Sequence, residues 1–306
     1  MIKKPLISIL MNCFNGESYL EEALNSVFQQ EYKNWELIFW DNNSTDRSKE
    51  IVSSFKDKRI RIFTSLIHTN LGKARKEAYK KVQGDYLAFL DVDDIWKPNK
   101  LMEQIKLFAD DEVGITFTNA VYFSKKKKKN LYKSSRNLEI NTKKLITNYP
   151  LSLNSIIIDI NKLNKLEYNF DEKYSNICDF DLIVRLSATS KVKYLDKILS
   201  GWRIHGNNES FKKKELFNKE KEKWCDYHLK NKYLIKFQNS IKELKLLILA
   251  EKRILRYGLN LKKFKSLNLS KISNMRNKLY ILFSYIPFIP KLLYNIRDFI
   301  FKKVWY

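Results

Sequence analysis

Five short strand-like runs recur in the first 120 residues: LISILM (6–11), WELIFW (35–40), RIRIF (59–63), YLAFL (86–90) and GITFTN (114–119). Between them, apolar residues return at helical spacing in ESYLEEALNSVFQQ (17–30), STDRSKEIVSSF (44–55) and GKARKEAYKKV (72–82). A further helix is predicted to begin near Pro98, because proline suits the first helical position. Regular strand–helix alternation predicts a mostly parallel sheet with helices on its faces, an α/β architecture. Such sheets take their ligands at the carboxyl ends of the strands. The chain of 306 residues can bury one large core or two modest ones.

Charge divides the chain. Residues 1–120 hold 17 basic and 18 acidic side chains, so they are nearly neutral. The remainder holds 41 basic and 16 acidic side chains and carries almost all of the net charge of +24. The first part is balanced like an enzyme domain, and the second seeks anionic partners. Cys13, Cys178 and Cys225 are widely spaced and form no Cys-x-x-Cys, which predicts a reducing compartment without a structural disulfide or zinc site. The start, MIKKPLISILMNCFNG, faintly imitates a signal peptide, but its apolar stretch is short and reads as a buried strand.

The run SKKKKKN (124–130) reads as a solvated loop, and 131–210 as mixed, with short strands and a helix near 180–190. From about 211 the sequence is long, helical and lysine-rich. Residues 252–306 carry 13 basic residues and one acid, Asp298. The uncharged part at 279–290 is too short to span a bilayer and contains Pro287 and Pro290. Lys291, Arg297, Lys302 and Lys303 interleave with aromatic and aliphatic residues, the pattern of an in-plane segment on an anionic membrane. The competing reading is a C-terminal helix packed on the catalytic domain.

Polar clusters follow three of the strands: Asn12 to Gly16, Asp41 to Asp46, and Asp91-Val92-Asp93-Asp94. Asp91 and Asp93 stand two apart, so they can point the same way. Paired carboxylates there suit a hard divalent cation, Mn²⁺ or Mg²⁺, which also takes oxygens from a substrate phosphate. Asp94 reads as a turn-organising residue. Further on, Asp179 and Asp181 precede or begin a helix, where N-terminal capping alone would account for them.

The ordered motifs PLISILMNCFNGESYLEEALNSVFQQEYKNWELIFWDNNSTD and NLGKARKEAYKKVQGDYLAFLDVDDIWKP resemble the family 2 glycosyltransferases. The resemblance is close over residues 5 to about 120 and looser to about 210. It implies an inverting enzyme of the GT-A fold, Rossmann-like, that uses nucleotide-diphosphate sugars, with a UDP-sugar the first choice. It also implies a catalytic domain over 1–210, with a nucleotide-sugar half at 1–120 and an acceptor half at 121–210. A basic helical extension at 211–306 would follow. By the same resemblance, Asn15 belongs to the nucleotide-pocket loop, Asp41 contacts the nucleobase and Arg75 lies near the nucleotide. Asp91 and Asp93 match the Asp-x-Asp pair, one near the ribose and the other on the metal. Asn42 stands where the family often has a second Asp, and Cys178 where it commonly has Glu. Asp179 matches the catalytic base. In LSGWRIHGNNES (199–210), Arg203 matches the diphosphate contact, and His205 could complete the metal shell. His68 and His228 carry no such implication.

Together these imply transfer of a sugar to a glycan or lipid-linked acceptor in surface-polysaccharide biosynthesis. The setting would be peripheral, on the cytoplasmic face of a membrane. Two rivals are a sugar nucleotidyltransferase and a nucleic-acid-binding protein without catalysis. The first usually has a Gly-rich phosphate loop, of which NCFNGES is a poor version. The second would leave the strand-end carboxylates repelling phosphates unless a metal intervened, so no nucleic-acid partner is expected.

Overall fold

The strand-like runs at the start of the chain form the sheet. The computed structural model describes residues 4–132, 139–255 and 275–283, without side chains at 210–211, 253–255, 276 and 282–283. The chain divides into two compact units: residues 1–141 with 150–205, and residues 142–149 with 206–306.

Among the described residues the first unit carries nine strands: β1 (Ile7–Cys13), β2 (Trp35–Asp41), β3 (Ile60–Thr64), β4 (Tyr86–Phe89), β5 (Ile95–Trp96), β6 (Val113–Phe123), β7 (Lys128–Asn130), β8 (Ile157–Asp159) and β9 (Lys191–Arg203). Their order is β3-β2-β1-β4-β8-β6-β9-β5, with β7 paired to β6. The neighbours among β3, β2, β1 and β4 are parallel, as are β6 and β9. β8 is antiparallel to both β4 and β6, and β5 and β7 also pair antiparallel. Helices α1 (Leu20–Phe28), α2 (Ser48–Ser54), α3 (Leu71–Tyr79) and α4 (Lys100–Ile105) fill the connections near the start. α5 (Thr142–Thr147) belongs to the second unit, while α6 (Ile160–Leu163) and α7 (Cys178–Ser187) belong to the first.

One face of β1 presents Ile7, Ile9, Met11 and Cys13 to Leu20, Leu24 and Val27 of α1, Val52 of α2 and Leu101 of α4. Period-2 alternation in the strand thus meets period-3.6 spacing in the helices, and the core forms where the apolar stripes coincide. α1 begins three residues later than ESYL suggests, because Gly16 O accepts from both Tyr19 N and Leu20 N and closes a turn first.

The lysine run is more ordered than a solvated loop. Lys128–Asn130 pairs with Val121–Phe123 as the second arm of a hairpin, although each of its residues is exposed.

The second unit is helical: α5, α8 (Glu209–Lys212), α9 (Lys214–Lys230), α10 (Gln238–Leu255) and α11 (Met275–Phe283). α10 packs on α5, α9 and α11. Trp224 and Cys225 of α9 are buried, as are Ile241, Leu244 and Ile248 of α10. Ile281 of α11 packs with Ala250 beside Leu246 and Leu247. The basic segment read as membrane-associated lies outside the described residues at 256–274 and 284–306. Among the described residues no helix is long and apolar enough to cross a membrane.

Candidate active site

The carboxyl ends of β1, β2 and β4 build the site from three groups. In the first, Asn15 takes a left-handed φ of 54°, which asparagine tolerates. Its N–H donates to Ser44 Oγ (3.0 Å), and its Oδ1 accepts from Thr45 N (2.8 Å). Asp41, 1 % exposed, accepts from Ser44 N at Oδ1 (3.0 Å). Asn15 and Asp41 are therefore joined through the Ser44–Thr45 turn.

Asn42 shows why an amide stands where an acid is common. Its Nδ2 donates to Thr69 O (2.7 Å), while its Oδ1 accepts from Thr69 N (3.2 Å) and Thr69 Oγ1 (3.0 Å). A carboxylate could do only the accepting. The residue thus ties the β3–α3 loop to the end of β2. His68 packs tilted against Phe14, their centroids 3.9 Å apart, and its Nδ1 lies 3.2 Å from Asn42 O. The sequence offered no sign of His68, because its partners come from two other loops.

The second group centres on Arg75 of α3. Its Nη1 donates to Cys178 Sγ (3.2 Å), and its Nη2 lies 3.5 Å from Asp91 Oδ1. Burial opposes its charge, but Cys178, Asp91 and Asp179 outweigh that and move its pKa up. Burial pushes Asp91's carboxyl up to about 6; Arg75 opposes the rise, and repulsion from Asp93 and Asp179 adds to it. The side chain keeps 43 % of its surface open, so it sits in a recess a ligand can enter. Burial raises the Cys178 thiol to about 11 against the pull of Arg75, so it is uncharged near neutrality. A glutamate there would neutralise Arg75; the thiol leaves its charge to the site. Asp179 lies in the first turn of α7, whose N-cap is Ile177 without a side-chain cap bond, so Asp179 complements the helix dipole rather than capping. Asp181 is buried in an ion pair with Arg185 (2.7 Å) and is structural.

The third group gathers on the Asp93 loop. His205 Nε2 lies 2.8 Å from Asp93 Oδ2, and Arg203 Nε donates to Asp93 O (2.9 Å). Arg203 already has a carboxylate, since its Nη2 donates to Glu22 Oε2 (2.5 Å). Its guanidinium lies 4.6 Å from the Tyr19 ring centroid and 4.5 Å from that of Phe123. Asp94 is 3 % exposed and accepts from Arg203 N (2.9 Å) and Asn154 Nδ2 (2.7 Å). Burial holds its pKa well above the usual range; Asp93 and Asp91 add to the rise, and the two hydrogen bonds oppose it.

The residues fit a hard divalent cation in one respect. Asp93 and His205 face each other across a single hydrogen bond, and Asp91 offers an open carboxylate nearby. Among the described residues no three His, Cys, Asp or Glu side chains form a ready metal cage. Mg²⁺ or Mn²⁺ would need only one or two carboxylates here, with substrate phosphates completing its ligands.

Sheet topology, strand-end acids and the basic residues facing them define a nucleotide-sugar transferase architecture. The model for glycosyl transferase family 2 matches residues 8–169, and the chain belongs to that family. It is 30 % identical over 168 residues to the Escherichia coli UDP-Glc:alpha-D-GlcNAc-diphosphoundecaprenol beta-1,3-glucosyltransferase WfgD, a match covering 55 % of this chain and 66 % of that protein. Matches to two other curated relatives cover 48 % and 46 % of their lengths. The fold is that of Staphylococcus aureus TarS 1–349, solved with UDP-GlcNAc (TM-score 0.65, 15 % identity, 98 % of this chain and 92 % of that one). It is also that of the mannosyltransferase PcManGT of Pyrobaculum calidifontis, solved with GDP-Man and Mn²⁺ (TM-score 0.62, 12 % identity, 96 % of this chain and 88 % of that one).

Proposed function

We propose that the chain moves a sugar from a nucleotide-diphosphate donor, a UDP-sugar first, to a lipid-linked or glycan acceptor, with inversion at C1. The carrying observation is a convergence of three separate elements: Arg75 of α3 reaches Asp91 after β4 (3.5 Å) and Cys178, next to Asp179, in α7 (3.2 Å), and the charge of Asp179 acts on both Arg75 and Asp91. A helix-borne carboxylate thus faces the strand-end acids. Asp179 takes the proton of the acceptor hydroxyl as its oxygen bonds to C1, and the C1–O bond to the diphosphate breaks on the other side. Asn15 and Asp41 hold the nucleotide end. Arg75 and Arg203 stabilise the charge growing on the leaving diphosphate; Arg203 exchanges Glu22, 55 % exposed, for phosphate oxygens. Asp93, Asp91 and His205 would hold Mn²⁺ or Mg²⁺, which supplies Lewis-acid neutralisation of the leaving group. The uridine donor and diphosphoundecaprenol acceptor in the name of the Escherichia coli relative, and the Mn²⁺ in the PcManGT structure, support this reading. So do the free cysteines, all buried, which fit a reducing compartment and hence the cytoplasmic side of a membrane.

The test uses a labelled nucleotide sugar and product stereochemistry. Asp179→Asn is expected to lose roughly 10²–10⁴-fold in kcat while still binding donor. Full activity in Asp179→Asn, or a product that retains configuration, would refute the proposal.

A further inference from the structure

We propose that one edge of the first unit's sheet docks on an anionic lipid bilayer, with Leu66 and Ile67 entering the interfacial zone and Lys125–Lys129 holding headgroups. The purpose rests on the lipid-linked acceptor proposed above, but the surface is argued from topology.

β1, β2, β3 and β4 run parallel, and β6 runs with β4 because both are antiparallel to β8 between them. The loop after β3, the acids after β4 and the hairpin after β6 therefore leave from one edge. The first and last of these also extend past the end of β4. The register Ser8–Leu87–Ile158–Ile115 defines one level across the sheet. Thr64, through Asp41 and Cys13, ends five residues beyond it, with Leu66 and Ile67 following; Phe123 ends eight beyond. At about 3.3 Å per residue, the strand ends reach about 17 Å beyond that level on the β3 side and about 26 Å on the β6 side, each then capped by its loop. In strand order they flank β4, so the recess of Asp91 opens between them.

Each arm is built. The Leu66–Ile67 tip is turned by Ser65 Oγ donating to Ile67 O (2.7 Å), yet leaves Leu66 96 % and Ile67 64 % exposed. The hairpin is closed by Ser124 N donating to Lys127 O (2.8 Å), with Ser124 Oγ accepting from Lys126 N and Lys127 N. Lys125 to Lys129 are all exposed, and among the described residues Lys125, Lys127, Lys128 and Lys129 form no ion pair. Compact, hydrated ammonium charges suit a diffuse anionic surface. The segment 124–130 has no aromatic or arginine on which a nucleic-acid base could stack. Two exposed aliphatics leaving the same edge as such charges, five strand spacings away, match the chemistry of a headgroup boundary.

The full chain is sedimented with phosphatidylglycerol/phosphatidylcholine vesicles and with pure phosphatidylcholine vesicles at physiological salt, and circular dichroism checks each variant's fold. Binding is expected only to the anionic vesicles. Lys127→Gln/Lys128→Gln/Lys129→Gln should weaken it by roughly 100-fold, about fivefold per lysine. Leu66→Ser/Ile67→Ser should weaken it roughly tenfold. The equal-charge control Lys49→Gln/Lys56→Gln/Lys58→Gln should stay near wild type. Wild-type affinity in the hairpin or loop variants, or no binding by the wild type, overturns the proposal. So does a hairpin variant that loses affinity for single-stranded RNA but not for vesicles. Nucleotide release from donor, measured in detergent, is read separately; its absence would sink the transfer reading and leave the vesicle result intact.

Discussion

Three carboxylates within four positions end β4, and their partners divide the work. Asp91 is set against Arg75 in the recess, Asp93 faces His205, and Asp94 is sunk between Arg203 N and Asn154 Nδ2. Strand-end position and spacing made Asp91 and Asp93 stand out in the sequence and set Asp94 apart. Nothing in the sequence marked Glu22, Asn154 or His68, because each acquires its role from a residue brought near only by the fold. The pattern distinguishes an isosteric change at Asp94 from one at Asp93. Asp94→Asn turns one acceptor into a donor facing either the Arg203 N–H or the Asn154 amide, so it should cost about 1–3 kcal/mol of stability. Thermal unfolding should show a lower Tm for Asp94→Asn. Asp93→Asn should leave Tm near wild type and lower donor turnover at least tenfold, with weaker dependence on added Mn²⁺. Equal Tm losses in both would place Asp93 in the frame rather than in the chemistry.

At the scale of elements, runs with strong periodicity were legible and those whose pairing depends on distant chain were not. The strands at 6–11, 35–40, 59–63 and 86–90 lie within a residue or two of their observed bounds: three are apolar runs that a two-sided core buries, and the half-exposed edge strand β3 shows instead by alternation in RIRIF. β9 was hidden: Lys191, Lys193, Asp196 and Lys197 break its apolar pattern, and the strand exists because β6 pairs with it through bulges. The antiparallel β8 was equally hidden, since it is three residues long. α3 was visible by the helical spacing of GKARKEAYKKV, but neither its Asn70 N-cap, which accepts from Lys73 N, nor the reason for Gly72 two residues on could be read there. A Cβ there would lie 2.0 Å from Tyr174 O and 2.7 Å from Asp171 O, so the helix meets the chain leading into α7 at backbone contact. Arg75, one turn later, reaches Cys178 across that seam. Gly72→Ala gains about 1 kcal/mol of helix propensity. It should nonetheless lose a net amount of about 1–3 kcal/mol by overpacking. Donor KM should rise with the displacement of Arg75; unchanged stability in denaturant titration would show that the seam yields freely.

For the whole molecule, the charge imbalance between the first 120 residues and the rest could be counted from the sequence, but the most consequential single charge could not. Lys100 opens α4 and looks like a surface residue of a polar helix start, yet it is fully buried. Its Nζ donates to Gln104 Oε1 (3.0 Å) and lies 4.3 Å from the Trp96 ring centroid. Burial lowers its pKa to about 7. The unfolded chain holds that proton to about pH 10.4. Between these values the unfolded state binds more protons than the native state, so stability rises with pH across this window; below pH 7 burying the charged form imposes its full penalty. From about pH 8 the raised pKa values of Cys13, Cys178 and Cys225 act in the opposite sense, because there the unfolded thiols ionise first. The informative range is therefore pH 7 to 8, over which Lys100 should add roughly 1 kcal/mol. Urea unfolding of the wild type at these two pH values should show that gain, and Lys100→Met should abolish the slope whatever its own stability. A slope unchanged in Lys100→Met would assign the effect to another group and leave Lys100 charged within the core.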